Sequence, residues 1–298
     1  MDAAGAAKYT RSIYAAMPPQ TARTLRTLLA AACLACAAHA AAQDQEQKPT
    51  WRVALGAGLD YVPKFPGSDG HKILPLPFIA ASYGRFFFGA FPGAASIAGV
   101  GVNLYQDRHW RFGVALSAGL AERRESDDPR LQGLGDVRRT ASAGVALAYT
   151  ESWYVLGASV LSDILNRGQG TLVSLNALGR HRASDRLTFF GGPGLTWADG
   201  RYTQTFFGVN AQQSAASGLP EFGTHPGWNS ARIGLGAGYR ITERWSALGF
   251  ASLSTLLGDA VNSPITESRS QYFLGAAIFY RFGETPALGD PGGFVFGQ

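Results

Sequence analysis

Cysteine is nearly absent from the 298 residues: Cys33 and Cys36 are the only two, and both stand close to the N-terminus. Their C-x-x-C spacing would suit a redox or metal motif in a folded setting. Here it lies inside an apolar run, residues 28–38, preceded by Arg23 and Arg26 and followed by the small-x-small stretches Ala38-His39-Ala40 and Ala40-Ala41-Ala42. That is the layout of a cleaved signal peptide. A lipid-modified cysteine would want Leu three residues earlier, where Ala30 and Cys33 stand. The expected boundaries are a signal peptide over 1–42, with Met17 as its natural start, and a polar periplasmic linker over 43–50. Without the signal segment the chain is cysteine-free, which excludes a disulfide framework in the oxidising periplasm.

Charge is scarce as well. Asp, Glu, Lys and Arg make up 16% of the chain, against roughly 25% in soluble domains. Lys8, Arg11, Arg23 and Arg26 against Asp2 carry +3 of the overall +5, so the mature chain is close to neutral and lacks the basic field that nucleic acid requires. With 46% hydrophobic residues the composition also excludes disorder. Beyond the first fifty residues no apolar run approaches the ~18 residues of a helical membrane span. A membrane location would therefore require a barrel.

What the chain has instead is alternation, together with 38 glycines. In 52–62, Val53, Leu55, Ala57, Leu59 and Tyr61 share one face, and Arg52, Gly56, Gly58 and Asp60 share the other. In 111–120, Phe112, Val114, Leu116 and Leu120 oppose Arg111, Gly113, Ser117 and Gly119; in 232–240, Ile233, Leu235, Ala237 and Tyr239 oppose arginines and glycines. In 271–282 the apolar face is Tyr272, Leu274, Ala276, Ile278, Tyr280 and Phe282, with Phe273 and Phe279 as departures on the other face. Weaker strands fall near 73–83, 85–91, 96–105, 140–149, 153–162, 170–180, 186–196 and 245–254. Strands of about ten residues, apolar on one side and small or polar on the other, are the pattern of an outer-membrane barrel. The expected fold is all-β: a closed antiparallel transmembrane β-barrel of about twelve strands over residues 51–282.

The connections alternate in length. Short ones lie at 84, 106–109, 150–152, 181–185 and 241–244, and long ones at 63–72, 121–139, 162–169, 198–228 and 255–270, with a short outer tip at 92–95. This is the sorting of short periplasmic turns from long outer loops. Trp51, Tyr83, Tyr105, Trp110, Tyr149, Trp153, Tyr239, Trp245 and Tyr280 border the short connections, as a periplasmic aromatic girdle at the lipid interface should. By parity Arg52, Arg111, Arg180, Arg240 and Arg281 point inward near the same end. Either they form a basic ring that selects anions or docks a periplasmic partner, or they pair with Glu151, Asp185 and Glu243 and fill the lumen.

Nothing in the sequence assembles a catalytic, cofactor-binding or metal site. His109 and His181 fall on the periplasmic side, and His71 and His225 in outer loops, with Asp69 and Asp199 as conceivable partners but no nucleophile motif. The acidic run 122–128 is interrupted by Arg123 and Arg124, which favours a self-paired loop over a cation site.

Several loop fragments resemble the MltA-interacting protein/OmpV family of outer-membrane proteins. They are Pro63-x-Phe65-x-Gly67-Ser68, Pro75-Leu76-Pro77, Leu131-x-Gly133-Leu134-Gly135-Asp136, and Trp197-Ala198-Asp199 with Tyr202. Further on come Phe206-Phe207-Gly208-Val209, Ser217-Gly218-Leu219-Pro220, Leu257-Gly258-Asp259-Ala260 with Ser263-Pro264, and Tyr280-Arg281-Phe282. The resemblance implies a non-catalytic barrel of the outer membrane. Its implied role is a scaffold linking a lytic transglycosylase to a penicillin-binding synthase in peptidoglycan remodelling, with a porin-like channel or an adhesin as the alternative. Outer-membrane lipid is its surroundings, and the barrel-assembly machinery would read Tyr280 and Phe282 as the terminal signal. Two departures stand out: Phe206 replaces an expected Tyr, and residues 283–298, ending in Phe294-Val295-Phe296, extend the chain past Phe282.

Overall fold

A computed structural model describes residues 50–89, 99–118 and 122–282. The signal segment 1–42 with Met17, Cys33 and Cys36, nearly all of the linker 43–50, the tip 92–95 and the extension 283–298 lie outside the described residues.

Twelve strands follow one another: β1 (Trp51–Pro63), β2 (His71–Tyr83), β3 (Phe86–Gly89), β4 (Gly99–Gln106), β5 (Trp110–Ala118) and β6 (Ala141–Thr150), then β7 (Tyr154–Asp163), β8 (Thr171–Arg182), β9 (Leu187–Ala198), β10 (Gly227–Arg240), β11 (Trp245–Leu256) and β12 (Ser270–Phe282). Each pairs antiparallel with its sequence neighbours, and β1 pairs with β12 from Val53 opposite Phe282 to Tyr61 opposite Leu274. Closure leaves no edge strand, which is what lipid demands, because an unpaired backbone group has no water to bond there. β10 begins five residues before the expected start at 232, with a register shift between Trp228 and Ser230.

The alternation resolves into two faces. Leu55, Leu59, Ile73, Ile79, Leu116, Leu235 and Ile278 stand exposed on the outer face, an apolar belt that only lipid can cover. The inner face holds the departures from the small-or-polar pattern. Gly56 lies in register between Phe78 on β2 and Phe279 on β12, whose rings stack across it at 4.7 Å. A Cβ at Gly56 would come within 2.1 Å of the Ile278 carbonyl oxygen and 2.6 Å of Phe279. The pairing recurs, with Phe190 over Gly236, Phe250 over Gly275 and Phe87 over Gly101, each ring atom 2.3–2.4 Å from where a Cβ would stand. Inward phenylalanine and inward glycine are thus one packing unit: the ring covers the backbone that glycine leaves bare. Phe279 is fully buried and, with Ala54, Ala80, Leu248, Phe78 and Phe190, forms an apolar cluster in the lumen near the short turns.

The long loops are folded. The β9–β10 connection carries helices α1 (Gly200–Phe207) and α2 (Ala211–Ser217), and the β11–β12 connection carries α3 (Gly258–Asn262). Asp199 caps α1 by accepting from the Tyr202 N–H at 2.8 Å, and Asn210 and Gln213 cap α2 reciprocally. Gly218, at φ +76, ends α2 in the left-handed conformation that favours glycine. Two 3-10 turns, Glu125–Asp127 and Pro129–Leu131, order the β5–β6 connection.

Candidate functional site

Two regions carry side chains beyond those that build the wall: a cap over the outer mouth and a rim of arginines at the periplasmic mouth.

The cap has two buried apolar clusters. One joins Val137, Tyr202, Phe206, Phe207 and Ala260 to the upper ends of β9 and β11 at Ala198 and Leu256. The other joins Phe65, Leu131, Leu134, Val209 and Ile265. Polar contacts tie the loops together across large sequence separations. Arg123 is buried, pairs its main chain with Val137 in both directions, and donates from Nη1 to the Phe206 carbonyl at 2.8 Å. Burial lowers the Arg123 guanidinium to about 10, which leaves it charged at neutral pH. Gln271 accepts from the Gly67 N–H at 3.0 Å and donates to the Ser68 carbonyl at 3.1 Å, and Ser263 donates to the Phe207 carbonyl at 2.6 Å.

The strand order shows what these contacts span. In a ring of twelve, the β5–β6 connection lies diametrically across from the β11–β12 connection. Arg130 in the first donates to the carbonyls of Pro264 (2.5 Å) and Ile265 (3.2 Å) in the second, and Lys64 of the β1–β2 connection reaches Asp128 at 3.1 Å. Those contacts can form only by crossing the mouth, so the loops roof it.

The family-like loop fragments fall here. Phe65, Gly67, Ser68, Leu131, Leu134, Asp199, Tyr202, Phe206, Phe207, Val209, Ala260 and Ser263 all sit in the two clusters or their hydrogen bonds. Phe206 packs on Tyr202 at 4.6 Å and is almost completely buried, so a ring without a hydroxyl asks for no polar partner at that place. The acidic run is only partly self-paired: Glu122 meets Arg124 and Arg139 of its own loop, but Asp127 meets Lys72 on β2 and Asp128 meets Lys64 in the β1–β2 connection. Among the described residues no group of three or more His, Cys, Asp and Glu could hold a metal ion.

These carboxylates make the cap acid-sensitive. Burial pushes Glu122 up, but Arg139 and Arg124 outweigh it, and the carboxyl sits below its ordinary 4.5. Burial likewise raises Asp128, and the Arg130 N–H and Lys64 bring it below 3.8. A lowered folded value means that the stabilisation is complete above the ordinary carboxylate range and is lost as pH falls through the folded value. Glu267, raised by burial, acts in the opposite sense and gains stability on acidification. With two groups against one, the cap should loosen as pH falls below the ordinary carboxylate range, and acid-active protease should then begin to cut the outer loops. Unchanged cleavage below that range would refute the assignment.

At the periplasmic end Arg240 and Arg281, two of the five arginines expected to point inward, meet the turns through main-chain carbonyls rather than carboxylates. Arg180 donates to the main-chain carbonyls of Ser152 (2.9 Å) and Glu151 (3.1 Å), Arg240 to that of Asp185 (2.7 Å) and Arg281 to that of Glu243 (3.0 Å). Arg52 donates from Nε to the Ser82 hydroxyl at 3.1 Å. The residues expected as partners are the ones contacted, through their carbonyl oxygens. The Asp185 carboxylate bonds Arg182 at 3.0 Å, and Glu151 accepts from the Tyr149 hydroxyl at 2.7 Å. A carbonyl satisfies a guanidinium hydrogen bond without neutralising its charge, so Arg240 and Arg281 stay positive at the rim. The Nε atoms of Arg111 and Arg281 are buried with no acceptor.

The girdle side chains stand on the outer face beside the same turns and pair with one another. Trp51 stacks on Tyr83 at 4.7 Å, Trp110 meets Tyr149 edge-on at 4.9 Å and Trp245 meets Tyr280 at 5.2 Å, while Tyr105, Trp153 and Tyr239 are exposed there too. Tyr280 accepts from Arg244 at 2.9 Å and packs edge-on against Phe282 at 4.7 Å.

Among the described residues the histidines stand apart from one another. His71 stacks on Tyr61 at 4.6 Å. His225 bonds Asp259, at 2.7 Å from its N–H and 3.1 Å from Nδ1; Asp199, the partner expected from sequence, is occupied as the cap of α1. Linking α3 to the β9–β10 loop, the pair serves the cap.

The family model for the MltA-interacting protein MipA matches residues 55–282. The MltA-interacting protein of Escherichia coli K12 is 25% identical over 78% of this chain and 90% of its own length. Outer membrane protein Omp26La of Vibrio anguillarum is 31% identical over 40% of this chain and 46% of its own. Among solved structures, the COG4313 outer membrane channel from Pseudomonas putida F1 aligns with a TM-score of 0.37 at 10% identity, over 80% of this chain and 97% of that one.

Proposed function

This chain belongs to the MltA-interacting protein MipA family, and on that premise we propose that it is a non-catalytic outer-membrane scaffold that docks murein enzymes, a lytic transglycosylase and a penicillin-binding synthase, on its periplasmic face. The observation that carries the proposal is the roofed mouth. Loops from opposite sides of the ring meet in two packed clusters, and the Phe78–Phe279 layer stands in the lumen below. The residues left over for function lie at the other end, where Arg111, Arg240 and Arg281 keep positive charge at the rim. An acidic surface on a partner would complement that rim, and such pairing acts chiefly on encounter rate and specificity.

The test pairs two measurements on one preparation. Detergent-solubilised barrel should capture a lytic transglycosylase from the same cell, and in planar bilayers it should show no stable conductance steps. Arg111→Gln with Arg240→Gln should weaken capture by about tenfold, about 1.4 kcal/mol. Steady ion-selective conductance without capture would overturn the scaffold in favour of a channel.

A further inference from the structure

The outer wall is not uniformly convex. Between β5 and β9 it carries a trough of about 630 Å³ on the lipid side, within the roughly 300–1,000 Å³ range of small-ligand sites. Its walls are Leu147, Leu156, Leu175 and Leu195, each half exposed, and its floor is the small Ala158 and Ala177. Register explains the shape: Leu147 lies opposite Ala158, which lies opposite Leu175, while Leu156 lies opposite Ala177. Large side chains therefore stand on both sides of a lane of methyl groups.

Pro193 deepens the lane. The β8–β9 ladder runs to Asn176 opposite Gly194 and resumes only at Gly179 opposite Gly191. Pro193 falls in that gap, and its ring nitrogen has no hydrogen to donate. Proline inside a fully paired strand is uncommon, and here it adds a flat, short side chain to the trough.

The trough ends at the girdle, where Trp110 and Tyr149 close it. Charged groups of both signs gather immediately beyond. Glu151 accepts from the Tyr149 hydroxyl, His109 stacks on the Tyr149 ring at 5.8 Å with Nε2 3.6 Å from Glu151, and Arg108 is the exposed neighbour of His109 in the same turn. An apolar lane of acyl-chain character thus runs into an interfacial turn where Arg108 stands among two carboxylates, Glu151 and Asp107, the latter held by the His109 and Trp110 N–H groups. That charge arrangement complements a zwitterionic headgroup.

We propose that this trough holds one glycerophospholipid of the periplasmic leaflet, an acyl chain along Ala158 and Ala177 and its headgroup at the turn, phosphate on Arg108 and amine on Glu151. This would be a specific lipid site, distinct from the general annulus, and it is independent of docking at the arginine rim.

Native mass spectrometry of the full chain in mild detergent tests it, with added phosphatidylethanolamine as the probe and phosphatidylglycerol as the comparison. Wild type should retain one phosphatidylethanolamine. Ala177→Phe fills the lane from the lipid side, so heat-modifiable migration should be unchanged while occupancy falls at least about tenfold. Glu151→Gln should keep lipid bound and lose the preference for the ethanolamine headgroup. If Ala177→Phe does not fold, Ala158→Leu makes the same test. Wild-type occupancy in a folded lane variant, or several lipids bound with equal strength and no headgroup preference, would overturn the site.

Discussion

Replacing Phe206 and Phe207 together by Ala is expected to open the outer cap while the twelve-stranded wall stays intact. Both rings are almost completely buried, and with Tyr202 they are the aromatic side chains that α1 contributes to its cluster. A buried Phe→Ala change costs about 3–5 kcal/mol through lost transfer energy and the cavity left behind. Two neighbours will not add strictly, but even one such loss is a large share of the roughly 5–15 kcal/mol that holds a whole domain together. The cap also depends on α1 for its long-range bonds, since Arg123 donates to the Phe206 carbonyl and Ser263 to the Phe207 carbonyl. Once α1 moves, buried Arg123 loses the acceptor of its Nη1. The strands take little harm, because β9 and β11 stay paired on both sides over most of their length below Ala198 and Leu256. External protease on whole cells should cut the variant within residues 199–226 and 122–140 and leave wild type whole, with heat-modifiable migration equal in both. Equal resistance would mean that the loops are held by something other than this core. Conductance should remain low in the variant, because the Phe78–Phe279 stack stands below the cap.

The second large effect is expected at Phe282. It closes the ring opposite Val53, lies half exposed at the girdle, and packs edge-on against Tyr280. If Tyr280 and Phe282 are the signal read by the assembly machinery, Phe282→Ala should lower the amount of inserted barrel several-fold and leave precursor in the periplasm. Phe296→Ala should do much less, and so should deletion of 283–298, a stretch whose Pro286, Gly289 and Pro291 cannot extend a strand. Quantifying the heat-modifiable species in outer-membrane fractions decides the matter. Greater sensitivity at Phe296 would place the terminal signal beyond the barrel.

The wall was legible in the sequence because its cause is local. A strand between lipid and lumen must change character at every residue, so Val53 through Tyr61 and Tyr272 through Phe282 announce their faces without reference to any other strand. Loop lengths and interfacial aromatics such as Trp51, Trp110 and Trp245 added the orientation for the same reason, since each answers to depth in the membrane. What sequence alone could not show depends on partners far apart in the chain. Phe279 reads as a violation of its face until register sets it beside Gly56 and Phe78. The guanidiniums of Arg240 and Arg281 choose turn carbonyls over carboxylates, because turn geometry decides which oxygen lies within reach. The cap was least legible, although its helix signals, Asp199 before α1 and the Asn210–Gln213 box of α2, are present. Its core is assembled from single residues such as Phe65, Leu131, Phe206 and Ile265, each in a loop without period. Only the closed ring, by setting opposite loops across one mouth, brings them into contact.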